Sequence, residues 1–236
     1  MLQGSLVEAS QEIKMKNINL FNCSMNQLVS TSSVQVSLLM EDNNFQNILS
    51  PGLLGASSLS IRRSVFNNSG LDMGEMFSFY RSSQYSQELN ITDCWFIEMS
   101  GLSLRQYTLF TLEDNVQVVI SNSTFLGNKF NELSVLEVGG QSQVYIDNSN
   151  FIQNRGKFGG VFLLVEQGTL TLLNSQFDRN AGEAGGVIHF IGSTSLTINS
   201  NIFKLNYAHK GGSVIDGISE ECSDPYSYGS FKIENS

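Results

Sequence analysis

The sequence predicts an all-β fold: a right-handed parallel β-helix with three strands per coil and about 26 residues per coil. Three observations carry that reading. Phe125, Phe151, Phe177 and Phe203 recur every 26 residues, each opening an F-x-x-N tetrapeptide that ends at Asn128, Asn154, Asn180 or Asn206. A glycine pair keeps the same period, at Gly159-Gly160, Gly185-Gly186 and Gly211-Gly212. Seven and five residues before each Phe stands an aliphatic pair: Val118 and Ile120, Val144 and Ile146, Leu170 and Leu172, Leu196 and Ile198. A fixed period in this range marks a stacked repeat, in which a unit too short to close its own core buries its apolar face against its neighbours.

Within a unit, each aliphatic pair has the two-residue alternation of a strand with one buried face. The Phe lies on a second, short strand. After each glycine pair comes a third strand, with Phe162 and Leu164, then Ile188 and Phe190, expected inward. That register leaves Val161, Leu163, Val187 and Ile215 outward, as an apolar face that a loop, a flanking domain or a partner chain would cover. Asn122, Asn148 and Asn174, with Ser200 fourth, are expected at a corner, pointing inward and stacked amide on amide. The F-x-x-N asparagines are assigned to a second corner and the glycine pairs to a third, where φ > 0 or close backbone approach is needed. Handedness follows the rule for parallel crossovers. Leucine-rich repeats have a similar period, but their Asn follows the last Leu by three residues. Here Asn174 follows Leu172 by two.

Upstream the period is irregular. Leu38 and Met40 precede Phe45, Leu59 and Ile61 precede Phe66, and Leu89 and Ile91 precede Phe96, while Ile13 and Met15 sit one residue early before Phe21. The whole of 1–236 therefore reads as one β-helix segment. It has irregular coils over 1–105, regular coils over 106–217, an inserted loop at 218–230 and the start of another coil at 231–236. A segment that stops in mid-repeat is expected to belong to a larger protein.

Composition excludes several classes. The 236 residues carry a net charge of −9, only 15% are charged, and 41% are hydrophobic. Ser, Thr and Asn contribute 34, 9 and 23 residues, so the polar content is neutral and suits turns rather than disorder. Scattered Lys and Arg offer no stripe for phosphates, so nucleic acid is not an expected partner. No apolar run approaches the ~20 residues of a membrane span. Cys23, Cys94 and Cys222 are too few and too widely spaced for a disulfide framework or a zinc site. No cofactor or metal is expected.

The GGVF, GGVI and GGSV runs at 159–162, 185–188 and 211–214, alternating with F-x-x-N, resemble the repeats of the polymorphic outer membrane proteins. These are large surface proteins of chlamydiae, whose repeats read GGA plus an aliphatic, then F-x-x-N. Similar repeats occur in large secreted or membrane proteins of protists. The likeness covers residues 118–215. Val161, Val187 and Ser213 replace the family Ala, and the upstream coils have Ser24, Ile48, Ser69 and Met99 in place of Asn. The resemblance implies a pectin-lyase-like β-helix at the cell surface or outside the cell, adhesive or structural, meeting protein partners, glycans or flanking domains of its own chain.

Many β-helices cleave polysaccharides with acidic and basic residues clustered across adjacent coils. Asp114 and Glu166 share a column but lie two coils apart, as do Glu137 and His189 with Leu163 between them, and no catalytic residue is assigned. A stiff rod for adhesion or assembly is the expected function. A carbohydrate-active enzyme or glycan-binding adhesin with its site outside this segment is the alternative. Lys157, Glu183 and His209 form the one polar column of interest: either a Glu-tuned His base or an exposed charge ladder. Sequons occur at Asn22, Asn67, Asn90 and Asn122. Asn90 is expected to be well exposed, whereas Asn122, assigned inward, is expected to be a poor acceptor. The loop at 218–229 contains Cys222, which could pair outside this chain.

Overall fold

Alternating apolar and polar residues in five- and six-residue strands build the longest sheet. In the computed structural model, which describes residues 12–23, 29–30, 37–48, 53–54, 58–68, 70–71, 77–79, 87–101, 108–113, 115–218 and 230–234, every long-range strand pairing is parallel. Sheet one has nine strands, from Glu12–Lys16 to Ser230–Glu234. Sheet two has eight three-residue strands, from Asn19–Phe21 to Ile202–Lys204. Sheet three also has eight, from Val29–Ser30 to Ile215–Ile218. The chain visits the three in turn and returns to the first, and there is no helix among the described residues. This is a parallel β-helix with 26 residues per turn in its regular part, where Val144, Leu170 and Leu196 pair in register.

The core is a set of files along the axis. Ile13, Leu38, Leu59, Leu89, Val118, Val144, Leu170 and Leu196 occupy one register position of sheet one, all buried. In sheet two, Phe45, Phe66, Phe96, Phe125, Phe151, Phe177 and Phe203 stack with ring centroids 4.7–5.1 Å apart. Each such contact contributes about 0.5–1.5 kcal/mol beyond area burial. The first member of the file is Leu20, paired with Phe45, not Phe21, whose side chain is 48% exposed. Ile13 and Met15 are therefore in register with the later turns, and the position equivalent to the F-x-x-N asparagine is Cys23 rather than Ser24.

Both ends of every sheet-two strand turn through a left-handed residue. Asn17, Asp42, Arg63, Asp93, Asn122, Asn148, Asn174 and Ser200 have φ of 44–56° on the entry side. Five residues later, Asn22, Asn47, Asn68, Glu98, Gly127, Gln153, Arg179 and Leu205 have φ of 46–67° on the exit side. A left-handed residue interrupts strand alternation, so the residue after it points inward. This corrects the expected orientation of Asn122, Asn148 and Asn174: they hold the corner but are exposed, and Asn148 Nδ2 donates to Asn122 Oδ1 at 2.7 Å on the surface. The inward positions belong to Ser123, Ser149, Ser175 and Asn201, each buried. Their side-chain oxygens accept from the backbone N–H one turn earlier: Cys94 to Ser123 at 3.1 Å, Ser123 to Ser149 at 3.2 Å, Ser149 to Ser175 at 3.1 Å, and Ser175 to Asn201 at 2.9 Å. Cys94 fills the same file, and burial pushes its thiol up to about 11.

At the exit corner the F-x-x-N asparagines form a buried ladder. Asn128 Nδ2 donates to Asn154 Oδ1 at 2.8 Å, Asn154 to Asn180 at 3.0 Å, and Asn180 to Asn206 at 3.1 Å. The same three Nδ2 groups also donate to the carbonyls of Phe96, Phe125 and Phe151, and Asn206 Nδ2 donates to that of Phe177. The buried amides of Asn128, Asn154 and Asn180 are thus satisfied on both faces, as a buried polar group must be.

The third side differs from expectation at three points. Val161 and Val187 are fully buried and belong to the core, because the chain is still turning in from the glycine pair when it passes them. Ile215 lies in register with Phe162 and Ile188, an inward file. Ser213 adds one residue to that turn, so Val214 rather than Ser213 matches Val187. Leu163 does face away from the core with His189 and Asp216, yet it is only 3% exposed. Gly159, Gly185 and Gly211 have φ of 69–83°, and a Cβ on Gly159 would lie 2.0 Å from the Phe162 carbonyl oxygen.

Candidate functional site

Beyond the exit corner, the chain runs outward in two short strands, Ala181–Ala184 and Tyr207–Lys210, which pair in parallel. Bridges extend the same file down the axis through Arg155, Lys129 and Ser100. Alternation points Phe130, Gly156 and Gly182 inward and leaves Arg155, Lys157, Glu183, Tyr207 and His209 on the outer side. Together with Asn131 and Glu132 they line an open cleft of about 640 Å³. Lys157, Glu183 and His209 do come together here: the Glu183 N–H donates to the Lys157 carbonyl at 2.9 Å, which sets the two coils in step.

Their charges, however, are committed elsewhere. Lys157 Nζ lies 2.7 Å from Glu132 Oε2, and Glu183 Oε1 lies 2.6 Å from Lys210 Nζ. Lys210 beside it holds the Glu183 carboxyl below its ordinary value, with smaller contributions from Lys157 and His209. The Glu132 carboxylate raises Lys157 correspondingly. Glu183 is an anchored carboxylate paired with Lys210, and the His209 imidazole beside it is exposed. The arrangement offers positioned cations, an amide and the Tyr207 ring, 58% exposed, around a floor of Phe130, Gly156 and Gly182. Sequence reasoning missed Glu132 and Lys210 because both pairs run diagonally, 25 and 27 residues apart, and a search along one 26-residue column passes them by.

The sheet-three file holds a second titratable group. His189 is buried, with Leu163 on one side and Asp216 on the other, and the Phe158 ring centroid is 5.7 Å from its own. Nδ1 lies 3.3 Å from Asp216 Oδ2 without hydrogen-bond geometry, and neither ring nitrogen has a hydrogen-bond partner. Burial pushes the imidazole below its ordinary value against the opposing pull of Asp216. Glu137 shares the file two rungs away, as expected. Asp114 lies outside the described residues, as do residues 219–229 with Cys222.

Among the sequons, Asn22 is exposed at an exit corner, where its Oδ1 accepts from Asn47 Nδ2 at 2.8 Å. Asn67 is half-buried at the end of a sheet-two strand. Asn90 is half-buried rather than well exposed, because it stands in mid-sheet between Ser60 and Val119. Asn122, by contrast, is exposed, since its corner turns it outward. No group of three or more metal-ligating side chains occurs among the described residues, and no helix there is long and apolar enough to cross a membrane. Comparison with protein-family models, curated proteins and solved structures finds no match.

Proposed function

We propose that this chain is a structural, surface-display segment of a larger secreted or cell-surface protein, acting without catalysis as a stiff rod for adhesion or assembly. The observation that carries the reading is the continuity of its ladders. The aromatic stack runs from Phe45 to Phe203 through unbroken contacts, and backbone, serine and asparagine ladders run beside it. Each turn is bonded to the next on three sides, so bending requires several ladders to break together, and nine rungs at the strand spacing give ~40 Å of rod. The GGVF and F-x-x-N resemblance to polymorphic outer membrane proteins points to the same role. Protease treatment of intact producing cells, followed by detection of peptides from 116–218, tests it. Release of these peptides without lysis is expected; their appearance only after lysis would overturn the surface assignment.

A further inference from the structure

Sheet one presents the broadest outer face of the molecule, because its strands have five or six residues against three in sheet two. Three outward files run along it parallel to the axis. In the six central strands, from Ser37–Glu41 to Thr169–Leu173, these files carry four charges: Glu88 in the first, none in the middle, and Glu41, Arg62 and Asp147 in the third. Val119 and Tyr145 stand side by side in the middle file, 41% and 40% exposed. Arg62 is exposed, and the carboxylates of the adjoining strand and its corner are engaged by others: Arg63 pairs with both Glu41 and Asp42, and Lys16 with Glu41.

Area and charge select the occupant. Eight strands at the sheet spacing span ~34 Å, and a six-residue strand spans ~20 Å, so the face offers ~700 Å². That lies within the ~600–1,000 Å² that each partner brings to a stable interface. Sheet two is as long but only ~10 Å wide, and offers about half as much. Two copies can be laid face to face with their rods antiparallel, related by a twofold axis that runs along the strands between Gln87–Thr92 and Val116–Ser121. Each file then meets its own copy in reverse. Arg62 of each chain comes opposite Asp147 of the other, and symmetry makes the pair twice. Glu41 comes opposite Leu173 and Glu88 opposite Gln117, so no like charges meet across the six central strands. The two Val119 side chains meet beside the axis, and each Tyr145 ring comes opposite Ser60, whose small side chain leaves room for it. With the rods parallel, the first file would meet the third, and Arg62 would face Ser58 instead. We infer that the outer face of sheet one is a homodimer interface, on which a second copy of this chain packs with its rod antiparallel and Arg62 opposite Asp147. Such pairing supplies the partner for the assembly role of the rod proposed above and rests on that reading.

Sedimentation equilibrium of the whole chain between ~1 and ~200 µM tests it, and a concentration-dependent dimer is expected in that range. Arg62→Asp and Asp147→Arg each set like charges against one another and are each expected to weaken the dimer tenfold or more. The chain carrying both reversals is expected to regain it to within about threefold, because the opposed pair is restored with its signs exchanged. Tyr145→Ala is expected to weaken it tenfold or more, and Trp95→Ala, on the exposed face of sheet two, to leave it unchanged. All of these side chains point outward, and urea midpoints retained in the dilute chain establish that each variant is folded. A monomer at every concentration would overturn the inference. So would a dimer that survives either charge reversal, or one that the combined reversal does not restore. The protease experiment bears on display at a surface alone, so the two readings can fail separately.

Discussion

The two sides of each turn obey different rules. From sheet one to sheet two, seven residues separate Ile13 from Leu20, Leu59 from Phe66, Leu89 from Phe96 and Leu196 from Phe203, and the spacing is the same in every turn between. The return through sheet three keeps no such count: Phe45 to Leu53 takes eight residues and Phe96 to Phe110 takes fourteen. The invariant side is bracketed by left-handed residues five apart, and in the regular turns the inward side chain after each one is bonded to the neighbouring turn. One extra residue there would invert every following side chain. Where it is described, the return side is joined from turn to turn mainly by backbone bonds, and the number of residues in its connections varies. The upstream coils are therefore irregular in length only on the return, while their rigid side keeps the spacing and the left-handed corners of the later coils.

The sharpest way to break this comparison is a pair of insertions. A glycine between Asn148 and Ser149 is expected to cost more than ~4 kcal/mol, a large fraction of the stability of a domain. A serine between Gly186 and Val187, copying the Ser213 already present one turn later, is expected to cost less than ~1.5 kcal/mol. Urea unfolding of both checks the contrast. Next in size is Phe151→Ala, which removes the centre of the aromatic stack and is expected to cost ~3–5 kcal/mol. Asn154→Ala removes the side-chain acceptor of the buried Asn128 backbone N–H and the side-chain donor to the Phe125 carbonyl, and should cost ~2–3 kcal/mol. Asn148→Ala at the exposed corner should cost only ~1 kcal/mol, through a strained φ.

Two smaller effects sharpen the picture. Burial places the His189 pKa in the folded state below that of the unfolded chain, which takes up its proton near pH ~6.5. Between those two points the unfolded state binds more protons, so stability falls as the pH is lowered through ~6.5 and is fully present above it. The midpoint of urea unfolding followed from pH 8 to pH 5 should show this slope, and His189→Leu should remove it, while Asp216 limits its size. At the other extreme, Leu205 occupies a left-handed corner at φ 52° with its side chain 66% exposed. Leu205→Gly is expected to stabilise by about 1 kcal/mol, visible as a rise in Tm.

Much of the rigid side was legible in the sequence, because its markers are large or chemically distinctive. Phe125 to Phe203, the aliphatic pairs and the F-x-x-N asparagines recur at a constant offset. What escaped was the small inward residue at the entry corner. Strict alternation carries Asn122, Asn148 and Asn174 inward, and only the left-handed backbone reveals that Ser123, Ser149 and Ser175 take that place. The recurring Asn-Ser dipeptide was the available signal. Leu20 was hidden by the larger Phe21 beside it, and Ile215 by the single inserted Ser213. At the cleft, the column of Lys157, Glu183 and His209 could be read from the period. Its ion pairs could not, since they depend on how long side chains lean between coils.

The central claim is that a turn closed by its two left-handed corners is an interchangeable unit. Removing residues 133–158, one whole 26-residue period, tests it most directly beside removal of 133–145, half of one. The whole-period deletion is predicted to retain the β-sheet circular dichroism and a single cooperative urea transition, with the half-period deletion losing both. Equal behaviour of the two proteins would contradict the account.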